Sequence, residues 1–217
     1  MNVLLRPCAL LCVCICALVM GVTADVQAST VLEVGAPLPS LEFEDIHGVE
    51  ASSGHYDARI QVITFADRES SDQLMAWMLK AAPEVMVRHP SLKVAYLGFA
   101  DLQSVPSLFE HIVYPALKLV NARSEESMEN AYRDHGITLR PESIAYHLTP
   151  DWEGQYLEKF GLQDASSFHC FVVQDGTIVA HFDNQEPNVG QRYIALMDRL
   201  MRPKQASKPT ALSVAKL

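Results

Sequence analysis

The chain has 217 residues, 49% apolar and 20% charged, with a formal net charge of −9. That length suits one domain with a sizeable core and short ends, and the composition excludes global disorder and a multiply membrane-spanning chain. The acidity repels phosphate backbones and speaks against nucleic acid as a partner.

The N-terminus carries one cation, Arg6, then an apolar run from Cys8 to Val22, then small-residue sites ending at Ala24 and Ala28. This is the pattern of a cleaved export signal, and the run falls short of the roughly 20 apolar residues of a membrane span. The expectation is a signal peptide over 1–28, cut near 24 or 28. The protein is then periplasmic or secreted, with no membrane span after cleavage; an uncleaved anchor is the alternative. Cys8, Cys12, Cys14 and Cys16 lie in this leader, so the exported chain keeps Cys170 alone and cannot form an intramolecular disulfide.

After the leader, Gly35-Ala36-Pro37-Leu38-Pro39 favours an extended entry, because proline lacks a donor and biases its predecessor away from helix. Leu41, Phe43 and Asp45 alternate before Gly48, which predicts a short edge strand. Ile60 to Ala66 is apolar on both faces, as a buried parallel strand is. A polar tip follows, Asp67-Arg68-Glu69-Ser70-Ser71-Asp72, and then a helix with Leu74, Trp77, Met78 and Ala81 on one face. Ser70 and Gln73 have capping-box spacing, Pro83 is a candidate kink, and His89-Pro90 closes the helix.

Leu92 to Ala100 reads as the second central strand and Val105 to Val113 as a short helix. Tyr114 to Arg123 is ambiguous between helix and strand, and Glu125 to His135 reads as a polar helix ended by Gly136. A strand over Ser143 to Leu148 and a helix over Trp152 to Phe160 follow. Phe168 to Gln174, Asp175-Gly176 and Thr177 to Phe182 form the clearest hairpin, since Asp-Gly between β-rich runs is a strong hairpin signal. A last helix over Asn188 to Met201 places Val189, Tyr193, Ile194, Met197 and Leu200 on one face. The tail, 203–217, has no sustained period and is expected to be disordered.

The Val34-Gly35-Ala36-Pro37-Leu38-Pro39 entry, the strand–tip–helix unit and the hairpin Phe171-Val172-Val173-Gln174-Asp175-Gly176 resemble the redoxin group of the thioredoxin-like superfamily. That group includes peroxiredoxins, thiol-disulfide proteins and copper chaperones of the Sco type. The resemblance covers about Val34 to Met201. It implies an α/β fold, a central mixed sheet flanked by helices, with an insertion over about Tyr114 to Thr149 ahead of the hairpin and last helix. One domain, 29–202, is expected. The resemblance also implies where thiol chemistry would sit. The family's cysteines fall within Arg68 to Gln73, where this chain has none, and its cis-proline falls near Phe168, where this chain has no proline. Serine cannot cycle through sulfenate or disulfide, so ordinary dithiol exchange is not expected.

Ser70 and Ser71 at a helix start suit either an anion or simple capping, and capping is favoured because Asp67, Glu69 and Asp72 repel anions. Asp67, Arg68, Glu69 and Asp72 suit an acid/base site or a solvated charged turn, and the turn is favoured. Cys170 suits a lone redox or metal-binding thiol, with His169 beside it and His147 and His181 as possible neighbours. A buried structural thiol is favoured, since adjacent strand residues face opposite ways and Cys170 shares a face with Phe168 and Val172. No histidine spacing of the zinc-protease kind occurs. No cofactor, metal or catalytic residue is therefore assigned. The reading is an exported thioredoxin-like binding or structural module, its partner another envelope protein. The alternative is a thiol oxidoreductase using Cys170 with a partner thiol.

Overall fold

The computed structural model describes residues 31–202 except 55, 57, 141 and 142. The expected leader, its cleavage sites and the tail lie outside the described residues. Among those described, no helix is long and apolar enough to cross a membrane.

Strands β1 (Glu42–Glu44) and β2 (Glu50–Ser52) pair as a small hairpin, separate from the main sheet. The main sheet holds β3 (Ile60–Ala66), β4 (Val94–Asp101), β5 (Ile144–Asp151), β6 (His169–Gln174) and β7 (Thr177–Asp183). Their order is β5-β4-β3-β6-β7, with β3, β4 and β5 parallel and β6 and β7 antiparallel. The expected mixed α/β architecture is the one observed. β3 lies at the centre because its apolar residues can be buried on both sides. Helix α1 (Arg68–Arg88) leads out of β3, α2 (Glu110–Asp134) links β4 to β5, α3 (Gln155–Lys159) follows β5, and α4 (Val189–Leu200) ends the fold.

Two cores result, one on each face of the sheet. On one face, Val62, Cys170 and Val172 meet Leu74, Met78 and Val85 of α1, Met128 and Tyr132 of α2, and Tyr193 and Met197 of α4. On the other, Ile63, Phe65, Leu97, Phe99 and Phe171 pack against Leu41, Phe43, Tyr156 and Phe160. Asp198 of α4 ties to the end of α1 through Arg88 at 2.7 Å and His89 at 2.8 Å.

Three sequence expectations are corrected. The short helix, the ambiguous stretch and the polar helix between Val105 and His135 are a 3-10 turn (Ser107–Phe109) and one continuous helix, α2, with Pro115 inside it. Proline removes a single backbone bond, and the rest of a long helix outweighs that loss. The region counted as an insertion is thus largely a crossover helix and β5, a parallel partner of β4. Trp152 to Phe160 is helical only over α3, because β5 runs on to Asp151. α1 passes through Pro83, which is buried, as an unbroken element.

Behind β1, Asp45 is 2% exposed and holds its turn with three bonds. Its Oδ1 accepts the amides of His47 (2.8 Å) and Val49 (3.0 Å), and its Oδ2 lies 2.9 Å from Nδ1 of His147. Burial alone would raise this carboxyl, but the Val49 amide, His147 and the His47 amide outweigh it and hold it below its ordinary value. A depressed carboxyl stabilises the fold above its unfolded-state pKa and loses that contribution as pH falls through its folded value. Asp45→Asn is therefore expected to cost about 1–3 kcal/mol at neutral pH. The gap to the wild type should close below the ordinary carboxylate range, as urea melts across pH would report; a gap constant with pH would remove the charge from the explanation.

Candidate functional site

Parallel strands β3, β4 and β5 end together, since Ala66 pairs with Ala100 and Asp101 with Asp151. Carboxylates therefore stand side by side at the C-terminal edge, which is where α/β sheets place ligands. Asp67 follows β3, while Asp101 and Asp151 end β4 and β5.

Asp67, not Ser70, caps α1. Its Oδ1 accepts the amides of Glu69 (3.0 Å) and Ser70 (2.8 Å), and Ser70, three residues on, completes the capping box by accepting the Asp67 amide at 3.0 Å. The Ser70 hydroxyl proton has two acceptors at 2.8 Å, Asp67 Oδ1 and the carbonyl of Ala165. The Asp67 amide also reaches that carbonyl at 3.2 Å. Ser71 donates to the Arg68 carbonyl at 2.9 Å. The amides of Glu69 and Ser70 are thus taken by Asp67, which removes donors that an anion would need. Ser70 is buried, Asp67 and Ser71 are half-buried, and Arg68, Glu69 and Asp72 point to solvent.

The loop ahead of β6 is fastened to this tip. Ala165 accepts from Ser70 and donates its amide to Asp101 Oδ2 at 2.9 Å. Ser70→Ala is expected to cost about 1–3 kcal/mol, because it takes a donor from a buried carbonyl. A change in urea midpoint worth less than about 0.5 kcal/mol would mean that Asp67 alone holds the junction.

Asp151 is fully buried, and its Oδ2 accepts the amides of Tyr156 and Leu157, both at 3.1 Å. Among the described residues its Oδ1 has no partner. Burial pushes this carboxyl up despite the amide bonds. Its role is to start α3, and no three ligating side chains converge anywhere among the described residues.

Cys170 is 0% exposed, opposite Thr64 on β3 and on the face of Phe168 and Val172. Burial pushes its thiol well above the usual range. His169 faces the other way, as the alternation of strand residues requires. His147 sits apart from both, bonded to Asp45. His181, however, does meet His169: Nδ1 of His169 and Nε2 of His181 are 3.0 Å apart. Counting back from the Asp175-Gly176 turn would pair His181 with Cys170. A register shift between Val172 and Val173 pairs it with Phe171 instead, on the His169 face.

No protein-family model matches the sequence, and no curated protein matches it. Among solved structures, the chain is similar to a hypothetical protein from Sinorhizobium meliloti, at 13% identity over 78% of this chain and 85% of that one, with a TM-score of 0.50. It is also similar to an uncharacterized conserved protein from Geobacillus kaustophilus, at 12% identity over 79% and 84%, with a TM-score of 0.50. A peroxiredoxin-like protein from Aquifex aeolicus aligns at 14% identity over 80% and 91%, with a TM-score of 0.49. These likenesses, all at 14% identity or below, concern the fold alone and not an activity.

Proposed function

We propose that this chain is an exported thioredoxin-like protein that works as a binding or structural module, without dithiol catalysis. One observation carries the reading. At the strand-to-helix junction, where the family's thiol chemistry would sit, there is no sulfur, and the hydroxyl of Ser70 is committed to Asp67 and Ala165. A nucleophile needs an accessible lone pair and a base that takes its proton, and this hydroxyl is buried in a cap. The reading of Cys170 as a redox thiol gains nothing from its surroundings, since a reactive cysteine needs access and a depressed pKa.

The contact surface in this reading is the exposed rim of Arg68, Glu69 and Asp72 with the loop at 164–168, and the partner is another envelope protein. The test is reduction of insulin disulfides by the mature chain with dithiothreitol. The expected rate is that of dithiothreitol alone. Turnover above that background, abolished in Cys170→Ser, would overturn the proposal.

A further inference from the structure

We propose that His169 and His181 form a binding site for a borderline divalent transition-metal ion that accepts right-angled ligands, Ni2+ or Cu2+, through His169 Nδ1 and His181 Nε2. The inference does not rest on Asp67, Ser70 or Ala165, whose bonds carry the functional reading, so either can fail without the other.

The geometry comes from the β6–β7 hairpin. His169 lies opposite Asp183 and His181 opposite Phe171, so the two histidines are diagonal neighbours on one face. Their ring nitrogens are 3.0 Å apart. Imidazole nitrogens bind such ions at about 2.0–2.1 Å, and two nitrogens at that distance are roughly 3 Å apart when the angle at the metal is near a right angle. The spacing therefore suits one shared ion as well as one shared proton, with the rings re-aiming slightly off the line that joins them.

Two further features favour a cation. The His181 ring lies flat on Phe171, with centroids 4.3 Å apart and planes 8° apart, which limits the rotamer freedom lost on binding. The carboxylates facing the pair are Asp183, which acts on both rings, and Asp164, which acts on His169. Their charge offsets that of a bound ion. With two protein ligands the remaining positions fall to water, so binding is expected to be weaker than at a closed four-ligand site.

The experiment is calorimetric titration of the full mature chain with each metal chloride in a non-coordinating buffer at neutral pH. The expected result is one ion per chain, bound about tenfold or more weakly by His169→Gln and His181→Gln and equally well by His135→Gln, a change on the exposed end of α2. A second readout needs no variant: substoichiometric Cu2+ should broaden the ring proton signals of His169 and His181 before those of the other histidines. Absence of stoichiometric binding, unchanged affinity in both site variants, or broadening centred on other histidines would overturn the inference and leave the pair as a hydrogen bond.

Discussion

Treated with excess iodoacetamide, the folded protein is expected to keep Cys170 unmodified while the denatured chain is labelled at once. Two effects block reaction in the closed state. The thiol has no exposed surface, in a strand hydrogen-bonded on both sides by β3 and β7. Burial also suppresses the thiolate, which is the reacting species. Labelling must then wait for an opening that approaches global unfolding. For an opening free energy of about 5 kcal/mol, the rate falls by roughly 10³–10⁴-fold. Intact mass measured against time, native beside denatured, reads this directly. Native labelling at the denatured rate would make the thiol accessible and restore the oxidoreductase reading.

The second large effect concerns how α2 is held. Only its C-terminal half carries buried side chains, Met128 and Tyr132. Tyr132 is 0% exposed among Tyr96, Met128 and the α1 residues of the same core. Its hydroxyl neighbours those of Tyr96 and Tyr146 without a well-formed hydrogen bond, so packing of the ring is its main contribution. Tyr132→Ala is expected to cost about 3–5 kcal/mol, and Tyr132→Phe less than about 1 kcal/mol. Urea melts measure both. If the phenylalanine variant lost as much as the alanine variant, the hydroxyl would be the anchor. Ile112 and Leu119, on the first half of the helix, are exposed at 58% and 53%. Their replacement by serine should change stability by less than about 0.5 kcal/mol, because little surface leaves or enters water.

Much of the framework was legible without coordinates because it rests on short-range chemistry. β3 and β4 announce themselves as apolar runs, α4 by a 3.6-residue period, and the β6–β7 turn by Asp175 and Gly176. Both turn residues adopt positive φ, 50° and 75°, which Asp tolerates and Gly favours. α2 was harder to read. Pro115 lies inside it, and its first half exposes Ile112, Leu119 and Val120, as the 3-10 turn before it exposes Leu108 and Phe109, so no single apolar stripe runs its length.

At the candidate site the division is sharper. That the tip lacks sulfur, and that Cys170 and His169 face opposite ways, follows from the order of residues and the two-residue period of a strand. Which residue caps α1 does not follow, since Asp67 and Ser70 are both good caps. The choice is settled by the carbonyl of Ala165, 95 residues from Ser70 along the chain. The histidine pair follows even less. Local turn chemistry sets a register that would put His181 on the Cys170 face, and the shift between Val172 and Val173 turns it to His169. A single extra residue in one strand reverses every side chain beyond it, and where a sheet accommodates that residue depends on packing against both cores. The sequence by itself determined the central strands, the hairpin, the last helix and the absence of a thiol at the tip; only the tertiary structure decided the extent of α2 and which polar groups meet.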